Sequence, residues 1–101
     1  MKTPVRHGWV LESVDEPPQT LRLPKGSIKT IGRTARADFI LPAALVSRIH
    51  CRLTADRSDQ LVVEDLGSTN GIAVNGKRVT RAVLKNGDQL KIGRMRFTVK
   101  R

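Results

Sequence analysis

The chain has no tyrosine, two phenylalanines, one tryptophan, a single cysteine and nine acidic residues. Each scarcity removes a class of protein. One cysteine, Cys51, cannot close an internal disulfide, so nothing points to a stapled secreted scaffold, and a reducing cytoplasm is the default expectation. Three aromatic rings are too few for the interleaved platforms on which single-strand binders stack bases. No segment approaches the ~18 consecutive apolar residues of a membrane span. Met1 to Ser13 carries basic residues but no apolar stretch of signal-peptide length, and the chain is read as soluble. No window of a dozen residues holds a 3.6-residue apolar period. The nearest candidate, Ile40 to Val46, contains Pro42 and reads as a loop, so helix content should be low.

Basic charge, by contrast, is abundant. Nineteen Lys and Arg residues give a formal net charge of +10, and 101 residues suffice for one domain with one modest core. From Lys77 to Arg101 there are nine basic residues and one acid, Asp88. Such a field attracts anionic partners without naming the anion, and by itself it fits a solvated face as well as a binding one.

Short β-rich stretches recur between turn signals: Trp9 to Val14, Gln19 to Leu23, Ser27 to Ile31, Cys51 to Thr54, Leu61 to Asp65, Ile72 to Val74, Gln89 to Ile92 and Met95 to Val99. Apolar residues two apart, as in Leu21 and Leu23, Leu90 and Ile92, or Phe97 and Val99, place one face of each strand inward. The spacing predicts an all-β fold, a two-sheet β-sandwich of short, mostly antiparallel strands. Turns are marked by Pro17-Pro18, Lys25-Gly26, Asn70-Gly71 and Asn86-Gly87. The strongest hairpin signal is Asn75-Gly76, between Ile72 to Val74 and Lys77 to Val79. There is no repeat or linker, so the domain should run over residues 8–100, with 1–7 as an N-terminal extension.

Three loop segments combine small residues with side chains suited to an anion: Ile31-Gly32-Arg33, Val46-Ser47-Arg48-Ile49-His50 and Asp65-Leu66-Gly67-Ser68-Thr69-Asn70-Gly71. An arginine fork with hydroxyl and backbone donors is the natural complement of a phosphoryl group. Loops at one end of a sandwich can gather such groups while the sheets hold their geometry. Nucleophilic catalysis does not fit. Ser47 and His50, three residues apart in a loop, supply no held base and no oxyanion donors, and no enzyme activity is expected. His50, Cys51 and distant His7 are too sparse for a zinc site, and no metal, cofactor or small-molecule substrate is expected.

Gly32-Arg33, Ser47-Arg48-Ile49-His50, Ser68-Thr69-Asn70-Gly71 and Val74-Asn75-Gly76, in this order and at these spacings, resemble the signature of forkhead-associated (FHA) domains. Asp38 with Leu41, Asp65-Leu66-Gly67, Gly87-Asp88 and Gly93 fit the same pattern, and the resemblance spans Trp9 to Val99. It implies a phosphothreonine-dependent, protein-binding signalling module, with binding loops at one end and a Ser/Thr kinase acting upstream on the partner. By the resemblance, Arg33 and Ser47 hold the phosphate, Arg48 and Thr69 add contacts, and Asn70 bonds the peptide backbone. Gly32, His50, Gly71 and Asn75 support the loops. Leu45 sets preference at the third residue after the phosphothreonine, where an apolar side chain is expected. Ile72, where threonine often stands, and Arg48, at a position that also holds other polar residues, depart from the commonest pattern. The alternative reading, ranked second, is the same fold binding nucleic acid or anionic lipid through its basic C-terminal face.

Overall fold

The computed structural model describes residues 8–14 and 18–101, and among these there is no helix. Eleven strands occur in chain order: β1 (Gly8–Ser13), β2 (Thr20–Pro24), β3 (Ile28–Gly32), β4 (Phe39–Ile40), β5 (Cys51–Ala55), β6 (Leu61–Asp65), β7 (Ile72–Val74), β8 (Lys77–Val79), β9 (Arg81–Leu84), β10 (Gln89–Ile92) and β11 (Met95–Lys100). They form two sheets, one in the order β2-β1-β11-β10-β7-β8 and the other β4-β3-β5-β6-β9. Every recorded pairing is antiparallel except β3 with β4. The expected β-sandwich is the fold observed.

Alternation sets the register. In β10 and β11, Leu90, Ile92, Phe97 and Val99 are buried while Gln89, Lys91 and Arg96 are exposed. Leu90 lies opposite Phe97, and Leu11 lies opposite both Val99 and Leu21. A slip of one residue would turn this whole apolar set to water. The second sheet adds Ile31, Cys51, Leu53, Leu61, Val63 and Leu84 to the same core. Trp9 closes one edge, its indole N–H donating to the Asp59 carbonyl at 3.1 Å with the Arg101 guanidinium 4.4 Å from the ring centre.

The β7–β8 hairpin follows its turn signal. Asn75 and Gly76 have φ of 52° and 82°, the paired positive angles that let a two-residue turn match strand twist. Two strands carry no sequence signal. β4 has only two residues, and its parallel pairing with β3 is set by the path of the returning chain. β9 sits at a sheet edge with Arg81 and Val83 facing out, so half of its residues give no inward signal. Beyond Ile40, which ends β4, the segment to Val46 is the expected loop. Its Leu41 and Val46 are nevertheless fully buried, so the loop is plugged into the core. Pro17 and residues 1–7 lie outside the described residues.

Phe97 is a large side chain with no exposed surface at the centre of the core. Phe97→Ala should cost ~3–5 kcal/mol, a large fraction of the ~5–15 kcal/mol available to a domain of this size. Urea unfolding followed by tryptophan fluorescence measures this; a loss below ~1 kcal/mol would contradict the packing described.

Candidate functional site

Three connections meet at one end of the sandwich: β3–β4 (33–38), β4–β5 (41–50) and β6–β7 (66–71). His50 joins them. It has no exposed surface, its Nδ1 accepts the Ser47 amide proton at 2.9 Å, and its Nε2 lies 2.8 Å from the Gly71 carbonyl. An accepting Nδ1 leaves Nε2 as the protonated nitrogen, which donates to Gly71. Through its backbone, His50 donates to the Ile31 carbonyl at 2.8 Å and accepts from the Leu66 amide at 3.0 Å. With both ring nitrogens committed, the imidazole is not placed to take a proton from the Ser47 hydroxyl.

Two further bonds cross between the loops. The Thr69 amide donates to Ser47 Oγ at 3.0 Å, and Asn70 Nδ2 donates to the Leu45 carbonyl at 3.0 Å. Gly32 completes the closure, because a Cβ built there would lie 2.0 Å from the Arg48 carbonyl oxygen. Only a residue without a side chain permits this approach of β3 to the β4–β5 loop.

The loops are also braced from within. The Asp65 carboxylate accepts from the Gly67 and Ser68 amides, each at 3.2 Å, and from the Ser68 hydroxyl, whose oxygen accepts from the Gly71 amide at 2.9 Å. In the β3–β4 loop, Asp38 Oδ2 accepts from the Thr30 amide at 2.8 Å and the Thr30 hydroxyl at 3.2 Å. The amide bond, then the hydroxyl bond, holds the Asp38 carboxyl below its usual range. A depressed folded value means that this clamp is present at neutral pH and is lost as acid carries the carboxyl through its lowered value.

Arg33 is exposed but not loose. Its amide donates to the Ser47 carbonyl and its Nε to the Val46 carbonyl, both at 2.9 Å. The terminal guanidinium nitrogens have no hydrogen bond or ion-pair partner among the described residues. They face an open groove of about 590 Å³ that Leu45, Ser47, Arg48, Thr69 and Asn70 also line. Arg36 lines it too, so three arginines meet there with no acid among the lining residues. The groove therefore offers two further guanidinium groups, a serine hydroxyl free to donate, and Asn70 Oδ1 as an unused acceptor.

Every residue expected to touch a ligand thus lines one groove. Gly32, His50 and Gly71 lie directly behind it. Asn75 does not. Its side chain bonds Asp88 Oδ1 at 3.0 Å and the Gln89 amide at 2.9 Å, bracing the β7–β8 turn against the start of β10. β7 carries the chain the length of the strand from Gly71 to this turn, so the loop that Asn75 supports directly is the β7–β8 turn. Sequence reasoning missed Arg36, which no motif marks, and the bracing roles of Thr30 and Ser68, which depend on carboxylates reaching across a turn.

A groove of free arginines and hydroxyls, carried on three cross-linked loops of a β-sandwich, defines an anion-binding module of the FHA type. The FHA-domain family profile matches residues 29–93, and the chain belongs to that family. It is 40% identical over 71 residues to the glycogen accumulation regulator GarA of Mycobacterium tuberculosis, a match covering 70% of this chain and 43% of GarA. The chain therefore spans less than half the length of that relative. Among solved structures, one from a structural and functional analysis of phosphothreonine-dependent FHA domain interactions superposes with a TM-score of 0.85 at 33% identity, covering 93% of this chain and 96% of the other. The M. tuberculosis EmbR structure, in complex with a low-affinity phosphopeptide, has a TM-score of 0.85 at 28% identity, covering 99% of this chain and 26% of EmbR.

No group of three or more His, Cys, Asp or Glu is placed to hold a metal among the described residues. Cys51, next to His50, points away from the groove into the core. Its thiol is pushed up to about 12, first by burial and then by the nearby charge of Asp65. At pH 8 the native chain should leave Cys51 unmodified by a disulfide reagent, whereas the urea-unfolded chain should react at once. Equal rates for the two states would contradict this burial.

Proposed function

We propose that this domain binds a protein segment carrying phosphothreonine and acts as an adaptor, without catalysis. The observation that carries the reading is Arg33. Its guanidinium is fixed through Nε to the Val46 carbonyl, with its terminal nitrogens left free in the groove shared by Ser47, Arg48, Thr69 and Asn70. A phosphothreonine brings about −1.5 to −2 charge and three acceptor oxygens, which these groups complement. Arg33 and Ser47 hold the phosphate, Arg48 and Thr69 add contacts, and the free Asn70 Oδ1 accepts a backbone N–H of the ligand. Leu45, at the groove wall, favours an apolar side chain at the third residue after the phosphothreonine. The phosphopeptide on EmbR and the phosphothreonine dependence of the other structural neighbour support this assignment.

The binding unit is taken as residues 8–100. It works in the cytoplasm on partners modified by a Ser/Thr kinase and needs no metal or cofactor. His50 serves the loops and not chemistry, since both its ring nitrogens are engaged. The buried polarity of the site is spent on holding geometry.

Titration of the wild type and Arg33→Ala against a degenerate phosphothreonine library, with unphosphorylated and phosphoserine pools as controls, tests the reading. Loss of one charge-assisted contact of ~1.5–3 kcal/mol should weaken binding at least tenfold. Binding should also weaken as pH falls through the phosphate's second pKa near ~6. Undiminished affinity in Arg33→Ala would overturn the site assignment.

A further inference from the structure

The outer face of the six-stranded sheet carries cations that nothing in the fold explains. Lys91 of β10 lies directly opposite Arg96 of β11 on one side and Ala73 of β7 on the other, and Ala73 lies opposite Arg78 of β8. Directly opposed residues share a face, and the neighbours Leu90, Ile92, Ile72 and Phe97 point inward, so Lys91, Arg96 and Arg78 form one row on the outside. All three are exposed, as is Arg94 on the β10–β11 turn. None has an ion-pair partner among the described residues, where the ion pairs are Arg52–Glu64, Lys100–Glu12 and Arg101–Asp59. The nearest acid in sequence, Asp88, is occupied by Asn75 Nδ2 and the Lys85 amide. Like charges directly opposed on a sheet destabilise it, so the Lys91–Arg96 pair is a cost to folding.

Two contacts join this row to the groove. The Arg78 guanidinium lies against Gly71 of the β6–β7 loop, 2.7 Å from where a Cβ would stand. Gly93 of the β10–β11 turn packs on the carbonyl of Leu45, a groove residue, at 2.9 Å from its own Cβ position. The β10–β11 turn, which carries exposed Arg94, thus abuts the Leu45 wall of the groove, and β10 and β11 lead from it to Lys91 and Arg96. There a hollow of about 280 Å³ opens, lined by Asn75, Gly76, Gln89, Lys91 and Arg96. The pair is two strand residues beyond Gly93, ~7 Å, a distance an extended peptide covers in about two residues.

We propose that this face is a second part of the binding surface, which takes an acidic segment of the same partner chain that carries the phosphothreonine. The proposal rests on the phosphothreonine reading of the groove. Charge complementarity and continuity with the groove select this occupant. A nucleic-acid strand would gain phosphate contacts here, but the hollow offers no aromatic side chain for its bases.

The test uses four peptides: a short phosphothreonine peptide with neutral flanks, the same peptide extended by four glutamates after its fourth flanking residue on the C-terminal side, its counterpart extended on the N-terminal side, and an unphosphorylated acidic peptide. Each is titrated by fluorescence anisotropy against the wild type and the Lys91→Ala/Arg96→Ala double variant, whose surface changes leave the core intact. One acidic extension should tighten wild-type binding about fivefold at low salt. The double variant should lose that gain while binding the short peptide within about twofold of wild type. Binding of the short peptide with no gain from either extension, or a gain retained in the double variant, overturns the second surface alone. Failure of the short peptide to bind overturns the groove reading, and the second surface with it. Duplex DNA or phosphatidylserine vesicles binding more tightly than the extended peptide, with loss in the same variant, would assign the face to those ligands and overturn the proposal.

Discussion

The binding end of this domain depends on one buried imidazole. His50 makes four hydrogen bonds, two from its ring and two from its backbone, and their partners belong to β3, the β4–β5 loop and both ends of the β6–β7 loop. An unpaired polar group buried in this position would cost ~1–3 kcal/mol, so the ring bonds fix the two loops to each other as a unit. They act together with the Thr69–Ser47 and Asn70–Leu45 bonds to keep both loops facing one groove, with the Val46 carbonyl in reach of Arg33 Nε.

Around that pin the molecule separates two tasks. The sheets bury Phe97, Leu11, Leu90 and their neighbours, and the loops add Leu41 and Val46 to that core, with Ala43 packed against it. The loops in turn satisfy their own backbone with Asp38, Asp65 and Ser68, which leaves the arginines unneutralised. No buried side-chain polar atom among the described residues lacks a partner. Free positive charge therefore accumulates where no internal acid competes for it, at Arg33, Arg36 and Arg48. These are the conditions under which a charge-assisted hydrogen bond to an incoming anion is strongest.

Much of this was legible in the sequence. Strands with a buried face announced themselves by alternation, as β10 and β11 do, and Asn75-Gly76 announced its hairpin. The groove residues were legible through the order of three short motifs, since a single arginine or serine in a loop says little. What stayed hidden had no local signature. β4 and β9 are edge strands held by pairing and not by pattern. Arg36 reads as one basic residue among 19, and only the fold of the β3–β4 loop turns it toward the groove. That Asn75 braces the β7–β8 turn was hidden too, because a motif gives membership in a pattern but not the end of the sandwich at which a side chain acts. The basic residues of the C-terminal quarter were legible one by one, but that Lys91, Arg96 and Arg78 stand in one row needed the pairing of strands, which alternation within a single strand does not supply.

The central claim, that three pinned loops form one phosphothreonine groove, is tested most directly by following backbone amide resonances as a short, neutral-flanked phosphothreonine peptide is added. The account predicts shifts concentrated at Arg33, Ser47, Arg48, Thr69 and Asn70, absent with the unphosphorylated peptide. Shifts confined to the sheet faces, or equal shifts without the phosphate, would contradict it.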